Sequence, residues 1–260
     1  MRAHFLLSLC LLALLLSGCS TKTEELDASQ FDKERLLEYI PTQTGKYIIY
    51  RLDSTVYTNF NRDKEVHSYQ EKHEFTEAFT DNLGRPSIRV YRFLRNLQGT
   101  SPWESSGTYY ITVADQGLEV VENNLRSVKL VLPLREGVTW MGNRHMPAEP
   151  YSSLFKFDND NNMAQWQFTY EKTGESLELN GNTYTDVVTV REVNDTATND
   201  PADPATIVAY ESVFVNKYAK NIGLVFQDWS IWEYQADTDG TNNGGTFNGF
   251  GIKRTILEHN

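Results

Sequence analysis

Trp140, Asn143, Arg144 and His145 lie close together in the stretch TWMGNRH. They place an aromatic ring, an amide, a cation and a base in one loop, a set from which a hydrolytic site or a ligand contact could be built. A hydrolase centred there would also need a nucleophile and a carboxylate that the local sequence does not supply. The chain contains no Gly-x-Ser-x-Gly elbow, no His-Glu-x-x-His helix and no phosphate loop. No catalytic residue is therefore assigned, and the expectation is a non-enzyme. The four residues are read as candidate ligand contacts, together with Trp103, which lies in a Ser/Gly-rich stretch and is expected to be the most exposed tryptophan. Most of the other tryptophans are expected in the core.

Three further groups invite a metal reading and fail it. His67, Tyr69, Glu71, His73 and Phe75 alternate along one strand face. The two histidines are separated by six residues, or about 20 Å of extended chain, too far for one ion. This face is expected to be polar and solvated. The loops beginning at Asp158 and Asp237 resemble calcium loops at first. Such a loop needs Gly at its sixth position and Glu at its twelfth. The first has Met163 and Thr169 there, and the second has Asn242 and Asn248. Both are read as polar turns, so no metal and no cofactor is expected.

The elements that must hold these residues begin after a distinctive N-terminus. MRAHFLLSLCLLALLLSGCS has a short basic start, an uncharged apolar run and small residues at its end, the layout of a signal peptide over residues 1–18. The run is shorter than the roughly 20 apolar residues of a comfortable membrane span. Leu16-Ser17-Gly18-Cys19 resembles the lipobox of bacterial lipoproteins. The resemblance implies cleavage before Cys19 and acylation of its sulfur, hence a palmitate-type anchor in a membrane. Cys10 would leave with the signal peptide, so Cys19 would be the last cysteine, and no intramolecular disulfide could form. The chain carries 35 acidic and 24 basic side chains, a net charge of −11, which argues against a nucleic-acid partner.

Residues 19–30 read as a polar tether, and residues 31–260 as one domain. Lys22 followed by Glu24 and Glu25 resembles the acidic sorting signals of some surface-exposed Bacteroidota lipoproteins. Asp27 or Ser29 could cap a short N-terminal helix through Leu36 and Leu37, which Pro41 would stop. Beyond it, period-two alternation dominates. Ile48, Tyr50 and Leu52 share a face, as do Ile88, Val90 and Leu94, and Trp166, Phe168 and Tyr170. Further runs cover residues 184–191, 207–218, 224–234 and 252–257. Turn residues such as Asp81-Asn82-Leu83-Gly84 and Asn180-Gly181 separate them. Residues 194–204 and 237–249 read as long exposed loops. The expectation is an all-β fold of curved antiparallel sheets, a sandwich or an open barrel.

The blocks GRPSIRVYRFLR, ENNLRSVKLVLPLREGVTWMGN and YAKNIGLVFQ resemble a family of Bacteroidota envelope lipoproteins, over roughly residues 39–232. Ser127 departs from the pattern, which favours a larger apolar residue there. The resemblance implies compartment and overall shape, and no activity or site residue.

One spacing occurs twice. Pro41 stands four residues before Gly45, and Pro133 four before Gly137, each time ahead of large apolar residues. Proline cannot donate to a sheet ladder, and glycine supplies a turn with positive φ. The pair is read as a turn that opens a strand. It could also mark two related halves, near residues 41–132 and 133–257. The sequence thus predicts an outer-membrane lipoprotein facing periplasm or cell surface, with a non-catalytic role in binding an envelope protein, a glycan or an apolar ligand, or in envelope assembly. The alternative is an envelope hydrolase with a site near residues 140–145.

Overall fold

The computed structural model describes residues 27–115, 117–159, 162–197, 199–237 and 245–260. The signal peptide, Cys19, the Lys22–Glu25 signal, and parts of both calcium-like loops lie outside the described residues.

Among the described residues, twelve antiparallel strands form one sheet: β1 (Lys46–Thr58), β2 (Asp63–Thr80), β3 (Pro86–Asn96), β4 (Glu104–Ala114), β5 (Gly117–Glu122), β6 (Leu125–Val131), β7 (Thr139–Met141), β8 (Gln167–Leu179), β9 (Asn182–Thr196), β10 (Val208–Ala219), β11 (Gly223–Gln235) and β12 (Thr246–His259). The sheet order runs from β6 back to β1, then from β12 back to β7. Every strand therefore lies beside its sequence neighbour, except that β1 pairs with β12 and that β6 and β7 are the two edges. The sheet curls until those edges almost meet. Of the two expected architectures, the barrel is the one formed.

The edges are joined mainly by loop and side-chain bonds rather than by a strand ladder. Val128 N donates to Gly142 O at 2.8 Å. The Trp140 indole N–H donates to Val128 O at 2.8 Å. The Tyr170 hydroxyl accepts from Val131 N at 2.7 Å and donates to Val131 O at 2.6 Å. These bonds satisfy backbone groups that an open sheet edge would leave unpaired.

Local chemistry explains the connections. Asn123 and Asn124 both take positive φ in the two-residue link between β5 and β6, and Asn180-Gly181 does the same between β8 and β9. Such mirror-image turns match strand twist and favour Asn and Gly. The two proline-glycine pairs end in closely similar turns. Lys46 N donates to Gln43 O, and Val138 N to Arg135 O, both at 3.2 Å. Gly45 and Gly137 hold the third turn position at φ +87° and +79°. That conformation penalises a Cβ. Each glycine N–H then reaches the neighbouring strand, Gly45 to Phe75 O at 2.8 Å and Gly137 to Tyr170 O at 2.9 Å.

Both ends of the barrel are covered. Near the start of β1, the helix α1 (Glu34–Leu37) and the residues after it insert Leu36, Tyr39 and Ile40. The expected single helix is two pieces: a 3-10 turn, Ala28–Phe31, capped by the Asp27 carboxylate, and then α1. Toward the end of β1, the helix α2 (Ser152–Phe155) and its flanks bring in Tyr151, Phe155 and Phe157. Phe155 stacks on Phe250 at 4.0 Å, and Tyr151 meets Phe250 edge-on at 5.1 Å. The strand β9 continues to Thr196, so the polar stretch expected as a loop from Asn194 begins inside a strand.

Candidate functional site

Between the two covered ends the barrel interior is crossed by a layer of charged and polar side chains. The layer begins on β2. The face expected to be solvated carries Glu71, His73 and Phe75, which are 1%, 5% and 3% exposed. The expectation fails because alternation shows which residues share a face, and not whether that face meets water. In a closed barrel one face of every strand is interior. His67, on the same alternation, lies near the strand's outer end, where it is exposed and paired with Glu65.

Glu71 is the centre of the layer. Its carboxylate takes Arg254 Nε at 2.5 Å and Nη2 at 3.2 Å, with Arg92 Nη1 at 3.5 Å and His73 Nε2 at 3.0 Å. Arg254 also donates to Gln227. Arg92 Nη2 is 2.8 Å from Glu122. Gln227 donates to Asn216 at 2.9 Å, and Asn216 donates to Glu192 at 2.6 Å. Glu192 accepts from Lys129 Nζ at 2.5 Å, which brings the chain of contacts to β6. Buried charges persist when paired and hydrogen-bonded in this way.

The protonation states follow from these neighbours. Burial is the largest single influence on Glu71 and favours its neutral form, but the Arg254 guanidinium and His73 together outweigh it and hold the carboxyl well below the usual range. For His73, burial dominates and pushes its pKa down against the pull of Glu71. His73 Nδ1 lies 3.0 Å from the Tyr109 hydroxyl, whose own pKa burial pushes up. Among the described residues, no three His, Cys, Asp or Glu side chains come together as a metal site.

Among the described residues, a larger and a smaller cavity border the layer. The larger, about 300 Å³, lies on the α2 side. Its polar wall includes Glu71, Arg92, Glu122, Lys129 and Arg254. Its apolar wall includes Leu52, Leu94, Trp229, Ile252, Leu154 and Phe155. The smaller, about 90 Å³, lies on the α1 side beside His73, Tyr109 and Tyr218. Lys129 and Arg254 line both. The larger volume is near the lower end of ligand pockets, about 300–1,000 Å³.

The loop residues singled out in the sequence separate. Trp140 packs at the barrel seam, 4.6 Å from the Tyr170 ring and 5.8 Å from Phe168. Asn143 is buried and accepts from the Ser127 hydroxyl at 2.8 Å. Ser127, the departure from the envelope-family blocks, thus has a buried polar partner. Arg144 and His145 are exposed, with Arg144 Nε donating to His145 Nε2 at 3.1 Å. Trp103 lies half-buried beneath the Arg95 guanidinium, 4.1 Å from its ring, with Lys72 at 5.6 Å. None of these five residues lines the larger cavity.

Sequence reasoning missed Arg92, Lys129, Glu192 and Arg254 as site residues. The available signal was a charged residue on the otherwise apolar face of a strand. Arg254 alternates with Ile252 and Ile256, and Glu192 with Val190 and Val188.

No known protein-family profile matches the sequence, and no curated protein sequence matches it. Among solved structures, the chain is similar to an exported protein with a YmcC-like fold from Bacteroides fragilis. The identity is 11%, over 85% of this chain and 99% of that one, with a TM-score of 0.36. It is also similar to LprF from Mycobacterium bovis, at 12% identity over 87% and 91% of the two chains, with a TM-score of 0.23. Overlays this loose transfer nothing to the present chain.

Proposed function

We propose that this chain is a lipid-anchored envelope protein that binds a small ligand inside its barrel and does no chemistry on it. The observation that carries the reading is the larger cavity, held between a charged layer and an aromatic end cover. A mostly apolar pocket with a few convergent polar groups is the usual form of a small-molecule site. The signal-peptide layout and the lipobox around Cys19 support the envelope and the anchor, and the family resemblance supports the outer membrane.

The luminal reading is tested with N-phenylnaphthylamine, an uncharged fluorophore that brightens in apolar surroundings, and the full chain carrying Cys19→Ala so that no acyl group competes. Saturable brightening is expected, and it should be lost in Leu94→Trp, which fills the cavity, at an unchanged denaturant midpoint. Brightening that survives in folded Leu94→Trp would place the dye elsewhere and remove the reading.

A further inference from the structure

The floor of the larger cavity is electrically complete. Arg254 is held by Glu71, Arg92 by Glu122 and Lys129 by Glu192. A ligand arriving with its own charge meets no unpaired counter-ion there, and burying an ion without a partner is costly. An anionic head would have to displace a carboxylate, and a cationic head would have to displace a guanidinium or an ammonium.

The floor does offer donors. The Lys129 ammonium carries three N–H groups and no acceptor. One N–H goes to Glu192 Oε1. The flanks of the ammonium are apolar, with the Trp229 ring centre 4.6 Å away and that of Phe168 5.3 Å away. Lys129 is buried from bulk solvent, at 6% exposure, yet borders the cavity. It is a donor-rich group among the lining of a space whose apolar wall includes Leu52, Leu94, Ile252 and Phe155.

We infer, on the basis of the luminal-binding reading, that the ligand is a small uncharged amphiphile: an apolar body against those four side chains and a hydroxyl, carbonyl or ester oxygen that accepts from Lys129. A hydrogen bond from a charged donor is stronger than a neutral one and leaves the three ion pairs intact.

The experiment is calorimetric titration of the full chain carrying Cys19→Ala with octanol, octanoate, octylammonium and chloroheptane at neutral pH. Octanol should bind tightest, by roughly tenfold or more over both ions and over chloroheptane, which has no comparable acceptor. The variant Lys129→Met with Glu192→Gln removes both charges together, so that neither is orphaned. It should bind octanol and chloroheptane about equally, a change of preference that a general loosening of the fold would not produce. Tighter binding of octanoate or octylammonium, or an octanol preference that persists in the double variant, overturns the inference. Should that variant not fold, the four-ligand series on the parent decides alone. Failure of all four ligands to bind would instead remove the luminal-binding reading and this inference with it.

Discussion

Arg254 on β12 and Glu71 on β2 meet across β1, 183 residues apart in sequence, with Nε to Oε2 at 2.5 Å and Nη2 to Oε1 at 3.2 Å. The contact fixes the register of three neighbouring strands from inside the barrel. Removing one partner leaves the other charge buried. Glu71→Gln should therefore destabilise by roughly 3–5 kcal/mol in urea melts, and Glu71→Gln with Arg254→Met by much less. A single variant that melts like the parent would show that the layer is not held by this pair.

The same layer sets a pH dependence. His73 has its folded pKa lowered below 6.5, so as pH falls the unfolded chain takes up the proton first. Stability contributed by neutral His73 is present above about pH 6.5 and is lost toward the lower folded value. Glu71 acts in a second window. Its contribution is present above the ordinary carboxyl value of 4.5 and is lost as pH falls toward its depressed one. The denaturant midpoint should fall between pH 7 and pH 5, and His73→Gln should remove most of that slope. An unchanged slope in His73→Gln would assign it to other groups.

Gly45 and Gly137 provide a matched pair. A Cβ at either position meets nothing within 4 Å, so the cost of a side chain is conformational alone. Gly45→Val and Gly137→Val should each cost about 1–3 kcal/mol in denaturant melts, and Gly137→Asn less, because Asn tolerates the left-handed region. Equal costs for Val and Asn would contradict this account.

The seam between β6 and β7 makes the opposite case. A Cβ on Gly142 would strike the Phe168 ring. Gly142→Ala should therefore cost more than Gly137→Ala, through overpacking of roughly 1–3 kcal/mol. Trp140→Ala should cost about 3 kcal/mol, at the low end for a large aromatic because the ring is only partly buried. Thermal melts of the three variants check the order. If Trp140→Ala leaves the melting temperature unchanged, the ring does not hold the seam.

The strands were legible in the sequence because alternation is local. Trp166, Phe168 and Tyr170 announce β8 and its approach without reference to any partner. The strand-opening turns were legible too, since Gly45 and Gly137 carry their backbone requirement in their own identity. The charged layer was not. Whether Glu71 and His73 face water depends on Arg254 and Arg92, which come from other strands. The cavity depends on residues from nine separate elements that no sequence window spans. The loop at Trp140 to His145 failed as a site in the other direction. Its residues are close in sequence, but Asn143 turns inward to Ser127 while Arg144 and His145 turn out.

The central claim, that the barrel lumen is a ligand site, is tested most directly by native mass spectrometry of the protein isolated from the cells that make it. The account predicts a non-covalent small-molecule adduct on the parent that is absent from Leu94→Trp prepared in the same way. A parent that repeatedly carries no adduct, or an adduct retained in full by folded Leu94→Trp, would contradict it.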